Sequence, residues 1–209
     1  MSVSPSLEAM QSAGFPVGGE PLAVLDLADT VILTVQPPLD LIADPARAQT
    51  WWAFESPRLP AAPAPDPAAL KRLRAAVRDL FDAHLEGRSP AAESVADVNA
   101  FAAAVPTSPQ LALAGEQPEL VVRWHTEHGG NAALAAIAAE AIGLLIDPER
   151  RDRLRRCANP ACSMLFLLGS RRRVWCSSAI CGNRARAARH YQRTRRPDRQ
   201  HGTEGTEPA

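Results

Sequence analysis

The four cysteines of this 209-residue chain all lie within one stretch of 25 residues near its C-terminal end. Cys157 and Cys162 form one pair, and Cys176 and Cys181 form a second, with thirteen residues between the pairs. A tetrahedral zinc ion takes four thiolate ligands, and two cysteines a few residues apart can bind one side of it. The spacing therefore predicts a metal site at these four cysteines, with one structural Zn²⁺ ion per chain. Because so short a segment has little core of its own, metal binding would supply much of its folding free energy.

Two other uses of four clustered cysteines remain open at this point. Two disulfides would need an oxidising compartment, and the N-terminus "MSVSPSLEAM" has neither the basic nor the apolar region of a secretory signal. An iron–sulfur cluster takes the same four ligands. The most apolar run, residues 131–146, is too short to cross a bilayer and contains Glu140. We therefore expect a cytoplasmic protein in which the thiols are reduced and hold zinc.

The net charge of the whole chain is zero, but the two signs are separated along it. Residues 1–149 carry 8 Lys and Arg against 19 Asp and Glu, a net charge of −11. Residues 150–199 carry 15 Arg against 2 Asp, a net charge of +13. A basic block on an acidic body is typical of a module that binds a polyanion. The alternative is a solvated charged tail.

The residues before the basic block predict an α+β, mostly helical N-terminal domain over residues 15–150. Helical spacing of apolar residues, a start at Asp66-Pro67 and a stop at Gly87 indicate a long helix. Alternating apolar residues in "QLALAGEQPELVVRWH" predict a small β-hairpin. We expect a separate zinc finger over residues 151–196, in which an apolar strand, a Gly-Ser turn and a basic strand join the cysteine pairs. Residues 197–209 are expected to be a disordered tail.

Two stretches of the chain resemble known families. "RLRRCANPACSMLF" and "RRRVWCSSAICGNRARAARHYQR" resemble the CGNR zinc finger, named for the tetrapeptide that begins at Cys181. "GGEPLAVLDLADTVIL" and "PLDLIADPARAQTWW" resemble the N-terminal part of the ABATE domain, which accompanies that finger in bacterial proteins described as stress-induced transcription regulators. Members of the family usually have Asn where Asp29 stands here, and their finger hairpin has a longer polar turn.

The resemblance implies a treble-clef-like zinc finger and a role in transcription regulation. We expect Gly182 and Asn183 to turn the chain from the last ligand into a basic helix, so that the metal site orders a surface that suits duplex DNA. The residues predicted to contact nucleic acid are all arginines: Arg171, Arg172, Arg173, Arg184, Arg186, Arg189 and Arg193.

The function predicted from the sequence is a zinc-containing, DNA-binding transcriptional regulator whose N-terminal domain senses a small-molecule effector or mediates self-association. The alternative is an adaptor that binds RNA or an acidic protein partner without sequence-specific DNA contacts. We predict no enzymatic activity: His84, His125 and His128 are interpreted as ordinary polar residues. Trp51, Trp52 and Trp124 are interpreted as core residues rather than as the lining of a ligand pocket.

Overall fold

The computed structural model of the chain describes residues 5–15, 18–169 and 172–194. By its internal contacts the chain forms two compact units, Met1–Cys176 and Ser177–Ala209. The tail predicted to be disordered and Arg171 lie outside the described residues.

The first unit is built mainly from helices, with three small antiparallel sheets of two strands each among the described residues. Its helices, in chain order, are Leu7–Ser12 (α1), Ala23–Ala28 (α2), Pro45–Glu55 (α3), Pro67–Glu86 (α4), Ala92–Ala103 (α5), Ala132–Ile146 (α6) and Pro148–Arg151 (α7). Its strands are Val31–Ile32 (β1), Leu39–Asp40 (β2), Thr107–Ala114 (β3), Gln117–Trp124 (β4), Leu154–Arg156 (β5) and Leu165–Leu167 (β6). No described helix is both long enough and apolar enough to span a membrane.

Helix α4 confirms the long helix that the sequence predicts. The Asp66 side chain accepts a hydrogen bond from the Ala69 N–H at 3.0 Å, which caps the first turn. Gly87 ends the helix with φ of 66°, a left-handed conformation that glycine adopts without steric cost. The apolar side of the helix, which includes Leu73, Val77 and Phe81, is fully buried.

The core of the first unit is arranged around α2. Every residue of this six-residue helix is buried, and α2 packs against both α4 and α6. The Val24 N–H at its start donates to the Glu140 carboxylate of α6 at 2.9 Å. The stretch of residues 21–33, for which helix and strand are both compatible with the sequence, therefore contains a fully buried helix, Ala23–Ala28, followed by the short strand β1.

The same core includes residues from the cysteine-rich segment. Leu154 of β5 and Leu165 and Leu167 of β6 are at most 8% exposed, and they belong to the same apolar cluster as the buried residues of α2, α4 and α6. The apolar core thus continues past residue 150. The division into domains at residues 150 and 151 stays a prediction.

The finger segment differs in its strand pairing from the expected arrangement. β6 pairs antiparallel with β5, on the other side of the first cysteine pair, with Arg155 opposite Phe166. The expected basic strand is not formed in the described residues 172–175. Leu165 and Leu167 of β6 are buried in the main core. There, β6 forms its backbone hydrogen bonds with β5, the strand that precedes the first cysteine.

A pair of buried carboxyl groups lies in the first unit, between α2 and the end of α3. Arg58 donates to the Asp26 carboxylate at 2.6 Å and to the Glu55 carboxylate at 2.5 Å, and all three side chains are at most 4% exposed. Burial raises the pKa of Asp26 to about 6, against the lowering effect of Arg58. Burial, and then the adjacent Asp26, raise the pKa of Glu55 to about 8. Glu55 therefore holds a proton at neutral pH in the folded protein.

This pair predicts that stability falls as the pH rises. Because the folded-state pKa of Glu55 lies above its unfolded value, its favourable contribution is complete below about pH 4.5 and is lost as the pH rises through 8. Glu55→Gln keeps an acceptor for Arg58 without a charge, so we expect it to be more stable than wild type at pH 8, by on the order of 4 kcal/mol. The two proteins should be nearly equal at pH 5.

Urea unfolding at several pH values between 5 and 8 checks this expectation. Glu93→Gln, at an exposed position of α5, is the matched control and should follow wild type. Parallel pH dependences for wild type and Glu55→Gln would contradict the assignment of the proton to this pair.

Candidate metal centre and basic helix

The first cysteine pair lies in the loop between β5 and β6. Cys157 follows β5 directly, and its N–H donates to the Met164 carbonyl at 2.9 Å, which continues the ladder. The Cys162 N–H donates to the Asn159 carbonyl at 2.9 Å, and the Asn159 side chain accepts from the Ala161 N–H at 3.0 Å. These bonds fold the four residues between the cysteines into a tight turn that brings both thiols to one side.

The second cysteine pair is held by different elements. Cys176 is buried at the end of the first unit, and its carbonyl accepts from Arg173 at 2.6 Å. Cys181 lies in a π-helical turn, Ser178–Gly182, which leads into the helix Asn183–Thr194 (α8) of the second unit.

The four thiols converge on a single point. Their sulfur atoms all lie within 4.8 Å of one another, and the sulfurs of Cys162 and Cys176 are 3.8 Å apart. Zn–S bonds of about 2.3 Å in a tetrahedron place neighbouring sulfurs about 3.8 Å apart, so the donor set fits one zinc ion. None of the cysteines is disulfide-bonded, since an S–S bond would be about 2.05 Å long.

The expected site is structural rather than catalytic. Cys157, Cys176 and Cys181 are buried, and Cys162 is partly exposed. Four thiolates complete the tetrahedron and leave no position for a substrate or an activated water. The fit of the donors confirms the metal site that the cysteine spacing predicts.

Two buried charges of the first unit hold the segment next to the first cysteine pair. Both carboxylate oxygens of Asp29 accept from the Leu165 N–H, at 2.9 and 3.1 Å. Arg78 donates to the Ser163 carbonyl at 2.5 Å and lies 3.4 Å from Asp29. Burial raises the pKa of Asp29 well above its usual range, although Arg78 opposes this. Asp29 and Arg78 therefore connect α2 and α4 to the strand that follows the metal ligands.

Position 29 gives a prediction that separates hydrogen bonding from charge. Asp29→Asn keeps an oxygen that accepts from the Leu165 N–H, at a position where burial disfavours the charged form of the carboxyl group, so we expect stability within about 1 kcal/mol of wild type. Asp29→Ala leaves that buried N–H without an acceptor and should cost about 2–3 kcal/mol. Urea unfolding of the zinc-loaded proteins checks both values. Equal losses in the two variants would show that the charge, not the hydrogen bond, matters.

Arg173, one of the predicted nucleic-acid contacts, is engaged inside the first unit. It donates to Glu20 at 2.5 Å and to the backbone carbonyls of Leu167 and Trp175 at 3.3 and 3.2 Å. Its guanidinium also stacks on the Phe166 ring, 4.4 Å from the ring centroid. Glu20 in turn accepts from the Leu167 N–H at 3.3 Å. These contacts give Arg173 a role in holding β6 and Cys176.

Helix α8 contains no acidic residue. It carries four of the arginines predicted to contact nucleic acid, Arg184, Arg186, Arg189 and Arg193, whereas Arg172 lies in the first unit. Arg186, Arg189, His190 and Arg193 are exposed and follow helical spacing, so they share one face. They line a shallow depression of about 450 Å³. Arg184 points to the other side of the helix by the same periodicity.

The start of α8 is braced by the Asn of the CGNR tetrapeptide. Asn183 donates from its side-chain amide to the Ala179 carbonyl at 2.8 Å. Arg186 donates to the Ser178 carbonyl at 3.2 Å and also to the Asn183 side chain. Asn183 and Arg186 therefore connect the helix to the π-helical turn that contains the last metal ligand.

His125 takes part in a side-chain network at the end of β4. His125 contacts Ser108 through Nε2 and Glu127 through Nδ1, each at 2.9 Å, which is the atom order of a Ser–His–acid triad. Glu127 is half-exposed, however, so the acid of this arrangement is accessible to solvent. We interpret the arrangement as a polar turn at the end of β4. His84 lies on a separate element, α4.

The tryptophans divide between the core and one small depression. Trp51 is completely buried in the main core, and Trp124 packs against Val105 and Ala132 in a smaller cluster. Trp52 is partly buried, packs against the main core and lines a depression of about 250 Å³ together with proline residues.

A four-thiolate site followed by a basic helix, with a mostly helical domain before it, defines a zinc-finger protein with a treble-clef-like finger. Residues 22–148 match the model of the ABATE family, described as "Putative stress-induced transcription regulator", and residues 153–194 match the CGNR zinc finger. The chain belongs to the ABATE family and carries a CGNR zinc finger at its C-terminal side. No curated protein shows significant similarity to the chain. The matches confirm both resemblances, and these families are described as regulators and zinc fingers, not as enzymes.

Proposed function

We propose that this protein is a DNA-binding transcriptional regulator that contacts duplex DNA through the arginine face of α8. The observation that carries the proposal is the exposed row of Arg186, Arg189 and Arg193 on one side of a helix without acidic residues. Guanidinium groups match phosphate oxygens, and an α-helix fits the major groove.

The charge distribution of the described arginines favours α8 over the rest of the basic block. Arg156 is paired with Asp82 and Glu86 at 2.7 and 2.9 Å, and Arg173 is paired with Glu20. These pairs neutralise arginines of the first unit within the protein. Arg171, Arg172 and Arg184 remain predicted contacts of nucleic acid, but we expect them to contribute less to binding than the arginine face of α8.

We assign a regulatory, non-catalytic role to the first unit and place the protein in the cytoplasm. Its effector, in this proposal, is a small molecule with an apolar part that binds the depression beside Trp52. The lining of that depression by Ala48, Pro65, Leu70 and Trp52 supports such a ligand.

Crosslinking of the full-length chain in cells, followed by sequencing of both bound DNA and bound RNA, tests the proposed function. We expect enrichment of discrete DNA segments. Enrichment of RNA alone, or of a protein partner without nucleic acid, would support the adaptor alternative and contradict the proposal.

A further inference from the structure

The β3–β4 hairpin carries an apolar face that is exposed from Pro109 to Val122. The register pairs Leu111 with Leu120, Leu113 with Pro118 and Pro109 with Val122, and directly paired residues lie on the same face of a two-stranded sheet. Leu111, Leu113 and Leu120 are 79%, 70% and 71% exposed, and Val122 is 50% exposed. This surface, which we call the ribbon face, contains no charged side chain.

The opposite face of the same hairpin is mixed, because polar side chains lie there beside Ala112, Ala114 and Val121. It contains Ser108, Gln110, Glu119 and Arg123, and the residues of β3 that are partly buried, Ser108 and Ala112, lie on this side. The ribbon face is the more exposed face between Pro109 and Val122, whereas Trp124, on the same face at the base of the hairpin, is partly buried against Val105 and Ala132. Large apolar residues at every second position of β3 are the pattern of a strand with one face packed against another surface.

The hairpin needs such a surface because two strands alone are marginally stable in water. Burial of apolar side chains is the main favourable term in forming a β-ribbon, and the ribbon face leaves its largest side chains in solvent. A contiguous exposed apolar face on a globular protein indicates an interaction site.

The properties of the ribbon face limit what can cover it. An uncharged, aliphatic surface excludes nucleic acid and acidic peptides, which need cationic groups. Residues 195–209, "RRPDRQHGTEGTEPA", are polar and contain no leucine, isoleucine, valine or aromatic residue. The other large apolar residues exposed in the described part of the chain, such as Leu33, Val95 and Ile146, are scattered over separate elements.

We propose that the ribbon face binds the ribbon face of a second copy of this chain. Two identical hairpins match each other in length, twist and absence of charge, and a two-fold axis lets each leucine row pack against the other. Stacked sheets of this kind lie about 10 Å apart with their side chains interdigitated. This inference does not rest on nucleic-acid binding.

The size of the ribbon face sets the strength of the dimer. A strand of eight residues is about 27 Å long, and two strands with their side chains are roughly 10 Å wide, so the pair of faces covers on the order of 600 Å². This area is smaller than the roughly 1,000 Å² that a stable specific interface needs, and it corresponds to a weak, transient contact. We therefore expect a reversible, concentration-dependent dimer.

Analytical ultracentrifugation of the full-length, zinc-loaded chain over roughly 1–500 μM tests the proposal. The average mass of wild type should rise with concentration from 22.4 kDa towards twice that value. Leu111→Thr with Leu120→Thr keeps strand preference but removes the apolar pair, and it should raise the dissociation constant at least tenfold.

The matched control is Gln110→Thr with Val121→Thr, the neighbouring cross-strand pair on the opposite face. It should change the dissociation constant less than twofold. Zinc content and melting temperature verify that both variants are folded. A wild type that stays monomeric over the whole range, an assembly larger than two chains, or equal shifts in both variants would overturn the proposal. The wild-type measurement alone decides the first two outcomes.

Discussion

Replacement of Cys176 with Ser is expected to release the zinc ion and to destabilise the whole first unit, not only the segment around the metal. A neutral hydroxyl does not replace a thiolate ligand, and binding of structural zinc contributes on the order of 10 kcal/mol in small domains. That is as large as the entire stability of a typical domain, about 5–15 kcal/mol. The loss should spread because Leu154, Leu165 and Leu167, which flank the first cysteine pair, belong to the main core.

Elemental analysis and thermal melting followed by circular dichroism check this expectation together. Wild type should contain one zinc per chain and melt cooperatively, whereas Cys176→Ser should contain almost none and lose most of its cooperative transition. Val174→Ser introduces the same residue two positions away, at a half-exposed side chain, and should behave like wild type. A Cys176→Ser protein that retains zinc, or that loses it and melts like wild type, would contradict the shared core.

Replacement of Arg189 and Arg193 with Ala is expected to weaken binding to duplex DNA by roughly 30-fold, if each phosphate contact contributes about 1 kcal/mol. Both residues are exposed on the arginine face of α8, one turn apart, and neither has a described acidic partner in that helix. Zinc content should not change, because neither residue is a metal ligand. Fluorescence anisotropy on one labelled duplex at fixed salt measures the effect.

Arg184→Ala is the control for this pair, since it removes a positive charge from the other side of the same helix. We expect a loss of at most a few-fold. If Arg184→Ala lost half as much binding free energy as the double variant, the DNA would be attracted by the net charge of the helix and not bound through one face.

The elements that the sequence predicts well are those whose signals are local. The Asp66 cap, the apolar spacing after it and Gly87 all lie within α4, and the two strands of the β3–β4 hairpin are separated by a two-residue turn in which Gly115 has φ of 65°. The cysteine spacing is similarly local, because each pair bends around one side of a metal ion. Nothing distant is needed to recognise these features.

The features that the sequence did not predict depend on contacts between distant residues. Asp29 and Leu165 are 136 positions apart, and Glu20 and Arg173 are 153 positions apart. The one available signal was the pair Asp26 and Asp29 in an otherwise apolar stretch, since buried carboxylates are seldom tolerated without partners. The pairing of β5 with β6 was missed for the same reason, because the burial of β6 depends on α2 and α4.

The central claim, that the arginine face of α8 binds duplex DNA through phosphates, is tested most directly by the salt dependence of wild-type binding. Three phosphate contacts, from Arg186, Arg189 and Arg193, predict a slope of about −3 in a plot of the logarithm of the binding constant against the logarithm of salt concentration. The Arg189→Ala, Arg193→Ala double variant should give a slope shallower by about 2. A flat salt response of the zinc-loaded wild type, or no duplex binding at low salt, would contradict the claim.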